Sequence, residues 1–444
     1  MSRELQRTLK TFDVTVIVVG AIIGSGIFLV PGTVLRDVGG SVGLALGVWV
    51  VGGVLSLLGA LTYGELACMN PRSGGLYLYI RDALGPLAAF AYGWTLFVVI
   101  GSGTVAALAV AASTYLDQLI PLGGVGRKVA VVVMVAGLCA LNVRGTRQST
   151  RVLAAGTALK VAALLFLIVA LPLAGRGFSQ IQAFWPERWN AGVLVSAGTA
   201  MVAVLWAYEA WQYATFIAGE VVEPQRNFPR GILLGTSLVV VIYVSAAIAY
   251  VAGLGPSALA GSAAPAADAM AANFGARSAQ LITIPILVSI LSGAQAVILT
   301  NTRVFFAMGR DGVFFRRMGE VHPRFGTPAF AIIAMSGWAI LLALSGQFTT
   351  LLTYVVFVGW IFYGLGGVAL FVFRRTRPEA PRPFRVPGYP IAPLLFVISA
   401  VWIVLNTVVT DPKKGVIGIG GALLSVPIYF LWRRPATGRA AGGA

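Results

Sequence analysis

Twelve apolar segments, each close to the length that crosses a bilayer, recur along this chain. A spanning helix needs about 20 apolar residues. The segments run roughly 12–36, 43–67, 86–115, 127–143, 152–173, 191–219, 229–254, 278–308, 328–345, 350–373, 389–409 and 416–432. Short polar or Gly/Pro-rich loops separate them. Only 11% of the 444 residues are charged, where a soluble domain carries about a quarter. A chain this apolar cannot cover its own surface in water, which excludes a large soluble core protein. The expectation is an all-α membrane protein with twelve transmembrane helices.

Charge supports that partition. The net charge is +17, which in a soluble chain would point to nucleic acid. Here the basic residues fall in short loops, so nucleic acid is not expected and the positive-inside rule applies. With both termini placed in the cytoplasm, 23 Lys and Arg fall on the cytoplasmic side and 8 on the outer side, with Lys160 left inside a span. A missed span would scramble this alternation. The location implied is the cell (inner or cytoplasmic) membrane, with a multi-pass chain in the bilayer.

Other function classes lose their raw material. The two cysteines, Cys68 and Cys139, lie in or beside apolar runs and imply neither a disulfide framework nor a metal cluster. His322 is the one histidine, in a polar loop, where it reads as a packing residue. That argues against a Ser-His hydrolase and a His-ligated metal. No enzyme, cofactor or metal is expected. The polar, basic first ten residues do not read as a cleavable signal. Arg316-Arg317 reads as a topology signal.

Two spans are irregular. Gly24-Ser25-Gly26 interrupts the first. Two glycines around a serine weaken a helix, and unwound backbone at membrane depth is tolerated where it lines protein or a cavity. Close packing through small residues is the other reading, and spacing alone leaves both open. In the sixth span, Trp206-Ala207-Tyr208-Glu209-Ala210-Trp211 places a carboxylate and three aromatics deep in the segment. Irregularity in spans one and six suggests two five-helix repeats of inverted topology with a site at the breaks. One transmembrane domain over 1–435 is expected. Repeat one covers about 11–175, repeat two about 190–374 and the last two helices about 388–433, followed by a short tail at 436–444.

At these residues the sequence resembles the amino acid–polyamine–organocation superfamily. Within it, the chain is most similar to bacterial relatives of the L-type amino-acid transporter light subunits. The strings are Gly20-Ala21-Ile22-Ile23-Gly24-Ser25-Gly26-Ile27-Phe28, Tyr63-Gly64-Glu65-Leu66, Pro71-Arg72-Ser73-Gly74-Gly75-Leu76-Tyr77, Ala218-Gly219-Glu220 and Pro224-Gln225-Arg226-Asn227-Phe228-Pro229-Arg230. They continue with Asn301-Thr302-Arg303, Gly309-Arg310-Asp311-Gly312, His322-Pro323-Arg324 and Phe384-Arg385-Val386-Pro387-Gly388-Tyr389-Pro390. The resemblance implies a leucine-transporter-type fold, with a 5+5 inverted repeat plus two C-terminal helices. Its substrate would sit between helices 1, 3, 6, 8 and 10, in an alternating-access cycle. Relatives often have glycine in the sixth-helix break, where this chain has Glu209 and Ala210. Eukaryotic light subunits use a cysteine after helix 3 to join a heavy subunit. The loop Leu116 to Gly126 has none, so no disulfide-linked heavy subunit is expected.

The candidate site follows from the chemistry of an α-amino acid together with this resemblance. Backbone N–H groups at a freed helix start suit a carboxylate, which nominates Ser25, Gly26 and Ile27, with Gly24 allowing close approach. Freed carbonyls of Ile22 and Trp206 would take the ammonium group, with Ala207 and Glu209 beside them. Trp206 matches the aromatic gate of relatives. Lys160, deep in span five, is functional by default. Sodium-coupled relatives hold a cation in that region, so the lysine either replaces sodium as fixed charge or gives up its proton. Glu209 would favour cationic side chains, carry a coupling proton or neutralise Lys160.

The leading reading is a sodium-independent transporter of L-α-amino acids, an exchanger or proton-coupled, with neutral cargo favoured. Cationic amino acids or polyamines on the same fold are the alternative. A non-transporting sensor is expected to carry an appended soluble domain. A major-facilitator carrier would show a basic loop after helix 2.

Overall fold

The computed structural model describes residues 7–182, 184–345 and 348–432. The tail expected at 436–444 lies outside them. Among the described residues nine helices are long and apolar enough to span a membrane, and one bent pair makes a tenth span. Two shorter apolar helices, Ala329–Ser345 and Gly415–Leu431, fall where the ninth and twelfth segments are expected.

The bent pair is α1 (Thr11–Ile22) and α2 (Gly26–Asp37), angled by 48° across Ile23-Gly24-Ser25. Then come α3 (Val42–Met69), α4 (Pro86–Leu119), α5 (Gly123–Val143), α6 (Thr146–Ala174) and α7 (Ala191–Ala207). A π-helical turn at Leu96–Ile100 interrupts α4. After α7 the chain turns through Tyr208-Glu209-Ala210 and continues as a 3₁₀ helix, Trp211–Glu220. The sixth span is therefore broken where the sequence suggested. Beyond it lie α8 (Pro224–Leu254), α9 (Ala276–Arg310), α10 (Ala329–Ser345), α11 (Phe348–Thr376) and α12 (Ile391–Thr410).

Small residues let the central helices approach. A methyl group on Gly231 of α8 would lie 2.6 Å from Val14, and one on Gly235 would lie 2.8 Å from Val18. Two glycines four apart thus seat α1 against α8, the small-residue packing that replaces hydrophobic drive inside lipid. Long helix α9 packs against α4, α6 and α1.

Several strings that carried the family resemblance meet in space. Glu220, ending the 3₁₀ helix, pairs with Arg303 of α9 at 2.9 Å, both buried. Arg303 is one of the 23 basic residues assigned from sequence to the cytoplasmic loops. It is a buried ion-pair partner instead, and it also donates to Thr146 Oγ1 at 2.9 Å. Glu65 of α3 is fully buried and accepts from Arg374 at 2.7 Å and from the Val386 amide at 2.7 Å. Asp311 accepts from Tyr77 at 2.8 Å and from Arg81 at 2.6 Å. His322 stacks on Phe325, and its Nδ1 accepts the Arg324 amide, so it packs its loop as expected. Arg316 and Arg317 are exposed.

Candidate substrate site

The two helix breaks touch. Ile23 leaves helical geometry (ψ 85°), and the Gly24 amide turns back to Ile22 O at 2.8 Å. Opposite, Ala210 adopts φ +87°, the left-handed region that closes α7 and redirects the chain. A Cβ on Gly26 would lie 2.5 Å from Ala207 Cα. Backbone thus rests on backbone at this point, and only glycine permits it. The sequence reading gave the Gly26 amide a carboxylate to bind; the lack of a side chain at Gly26 also lets α2 and α7 meet.

Between the breaks lies a small cavity of ≈ 20 Å³. That is room for about one water. Its lining includes Ile22, Gly24, Ser25, Gly26, Trp206 and Glu209. Six of the residues nominated from sequence are brought together there. Ile27 is fully buried in the first turn of α2, and Ala207 is the residue on which Gly26 rests. A much larger cavity, ≈ 1050 Å³, opens at the other end of α1, walled by Phe12, Asp13, Val16, Arg151, Glu220 and Arg324.

The helix ends give the cavity a polarity. α2 begins at Gly26, so its first amides have no intrahelical acceptor. Ser25 at its N-cap makes no side-chain cap, and its buried Oγ has no hydrogen-bond partner among the described residues. Such a helix start attracts an anion. The C-terminal ends of α1 and α7 present carbonyls on the other side.

Those carbonyls are not free, which corrects the sequence reading. Ile22 O accepts from Tyr243 Oη at 3.0 Å and from the Gly24 amide. Trp206 O accepts the Glu209 amide at 3.1 Å. A buried carbonyl finds a donor because leaving it unpaired is costly.

Lys160 of α6 is fully buried and stands behind the first break, outside the cavity lining. Its Nζ donates to Gly20 O at 2.9 Å, Ile23 O at 2.5 Å and Ser289 O at 3.4 Å. Ser289 Oγ lies 3.2 Å from Ile23 O and 3.1 Å from Gly24 O. An ammonium thus caps the C-terminal end of α1, where the helix dipole favours a cation.

Glu209 accepts from Gln212 Nε2 at 2.8 Å and from the Tyr363 hydroxyl by a short hydrogen bond. Among the described residues it makes no ion pair with Lys160. Trp206 is buried at 5% exposure and walls the cavity.

Sequence reasoning missed Tyr243, Ser289, Tyr363, Thr104, Leu108 and Val297. Each sits in an otherwise ordinary apolar span. Nothing in the order of residues says that Tyr243, 221 positions from Ile22, reaches its carbonyl.

Residues 9–424 match the family described as "Amino acid permease". Large neutral amino acids transporter small subunit 2 of Mus musculus is 33% identical over 434 residues, covering 94% of this chain and 79% of that one. The b(0,+)-type amino acid transporter 1 of Rattus norvegicus is 31% identical, covering 92% of this chain and 84% of that one. The Asc-type amino acid transporter 1 of Mus musculus is 29% identical, over 97% and 82%. A multi-pass helical bundle with two facing helix breaks, matched in this way along nearly its whole length, is a transporter of amino acids and not an enzyme, and the chain belongs to the amino acid permease family of the amino acid–polyamine–organocation superfamily.

Proposed function

We propose that the chain is a sodium-independent carrier of neutral L-α-amino acids, an exchanger or proton-coupled, working by alternating access. The observation that carries the reading is the Lys160 ammonium seated on Gly20 O and Ile23 O at the end of α1. A protein-borne cation at that break does the electrostatic work that a bound sodium ion would otherwise do.

The substrate carboxylate docks on the start of α2, on the amides of Gly26 and Ile27 and the Ser25 hydroxyl. Its ammonium goes to the ends of α1 and α7, sharing Ile22 O and Trp206 O with the donors already there. Tyr243 holds Ile22 O in place for that contact. Trp206 closes the cavity as a gate, a task suited to a flat side chain with few rotamers. The large cavity beside Phe12 and Arg324 serves as the cytoplasmic vestibule, and movement of α1 and the 3₁₀ helix against α6 and α9 joins it to the site.

Several coarser features belong to the same reading. Helices α10 and Gly415–Leu431 complete twelve spans. They are arranged as repeats over about 11–175 and 190–374, with two helices at about 388–433, in one domain over 1–435. Both termini lie in the cytoplasm, and the protein resides in the cell membrane. The relatives named small subunits suggest a partner chain, but the loop Leu116 to Gly126 offers no cysteine to bind one. Cationic amino acids are the second reading, favoured by the buried Glu209 carboxylate beside the cavity.

The test is uptake into proteoliposomes preloaded with unlabelled amino acids, with and without sodium and a pH gradient. Uptake of a neutral amino acid that does not depend on sodium is expected. A strict sodium requirement, or robust polyamine uptake without amino-acid uptake, overturns the proposal.

A further inference from the structure

Once an amino acid's carboxylate and ammonium groups are seated at the helix ends, its side chain has one direction left. The remaining lining of the cavity is Ala21 of α1, Thr104 and Leu108 of α4, Val297 of α9, and Glu209 with Ala210. Leu108 is the central piece of that wall. A methyl group placed on Gly24 would lie 3.3 Å from one Leu108 methyl, and one placed on Gly293 would lie 3.8 Å from the other. The isobutyl group thus lies between the first break and α9. Val297 is buried at 1% exposure. Glu209 cannot swing aside without giving up both Tyr363 and Gln212.

We propose that the wall restricts the cargo to amino acids whose side chains have one or two non-hydrogen atoms, the alanine and serine class, and that Leu108 is the residue that sets the limit. The proposal rests on the seat assigned above and deepens it. It separates this chain from the relatives whose name specifies large neutral amino acids.

The experiment is competition against labelled alanine uptake in proteoliposomes, using unlabelled glycine, alanine, serine, methionine, leucine and phenylalanine. In wild type, alanine and serine should compete at least about tenfold better than leucine, the discrimination that a hydrophobic pocket achieves per methylene or two. Leu108→Ala should raise leucine competition relative to alanine by about tenfold. Val297→Ala should move the ratio the same way, and volume-conserving Leu108→Met should keep the wild-type ratio. The readout is the ratio, so a lower overall rate does not confound it. If Leu108→Ala does not yield folded protein, Val297→Ala reads the same wall. Leucine or phenylalanine competing as well as alanine in wild type overturns the proposal, as does an unchanged ratio in the enlarged variants. Wild-type vesicles that take up no amino acid would instead sink the transport reading beneath it.

Discussion

The Lys160 ammonium nitrogen lies 2.5 Å from the carbonyl oxygen of Ile23, the residue at which the first membrane helix breaks. One side chain therefore satisfies backbone that unwinding leaves exposed in an apolar interior, and it supplies a positive charge at a negative helix end.

Replacing Lys160 should remove both services. Lys160→Ala takes the side-chain donor from Gly20 O and leaves Ile23 O with the Ser289 hydroxyl alone, at about 1–3 kcal/mol for a buried unsatisfied group. Uptake should fall at least tenfold, to judge by about 1.4 kcal/mol per decade. Lys160→Arg should also be impaired, because the larger planar guanidinium does not fit an ammonium's seat. Initial uptake rates and thermal unfolding in detergent measure the two effects. Wild-type rates in both variants would show the charge to be dispensable.

Gly26 and Gly24 should respond differently to the same added methyl. At Gly26 it meets Ala207 Cα at 2.5 Å, backbone that cannot yield. At Gly24 it meets a Leu108 methyl at 3.3 Å, which gives by a few tenths of an ångström. Gly26→Ala should lower the unfolding temperature and abolish uptake together, with a penalty in the range of about 1–3 kcal/mol for overpacking. Gly24→Ala should keep most of its stability. Equal melting temperatures for the two variants would contradict the contact between the breaks.

Trp206→Ala tests the gate. The side chain walls the cavity between the breaks, so turnover should fall by more than stability does. Equal proportional losses of both would mark it as a packing residue.

Glu209→Gln keeps an oxygen that can accept from Tyr363 and Gln212. Little loss of stability is expected, within about 1 kcal/mol for a neutral hydrogen bond. Competition by arginine should be weak in wild type and unchanged in the variant. Strong arginine competition that vanishes in Glu209→Gln would move the cargo to cationic amino acids, and loss of pH dependence for all substrates alike would identify Glu209 as the proton carrier.

Ala210 holds φ +87° with a side chain that disfavours it. Ala210→Gly should relieve about 1 kcal/mol of that strain. A rise in unfolding temperature is the expected readout, and a fall would show that the Ala210 methyl contributes more by packing than it costs in conformation.

Composition and periodicity announced the spans, because a bilayer demands about 20 apolar residues each time. Helix breaks were legible from Gly24-Ser25-Gly26 and from the crowded aromatics around Glu209. Partnerships were not. Glu220 and Arg303, Glu65 and Arg374, or Tyr243 and Ile22 lie tens to hundreds of residues apart, and a single sequence carries no term for distance in space. That limit explains why Arg303 reads as a loop charge and the Ile22 carbonyl as unbonded: the partner of each comes from a distant span.

The short pairing of the N-terminal segment with the end of the sixth span has a mechanical consequence. Thr8 and Leu9 donate their amides to Glu220 O, and the Val222 amide returns to Leu9 O. Half-helix α1 and the 3₁₀ segment are thereby stapled at one end while their other ends meet at the two breaks. They form two arms tied at both ends, so a pull on one is expected to reach its twin. A bulky tag or an antibody fragment fastened to the chain ahead of Thr8 would load those arms directly and act as a brake on the carrier from a point far from its cargo.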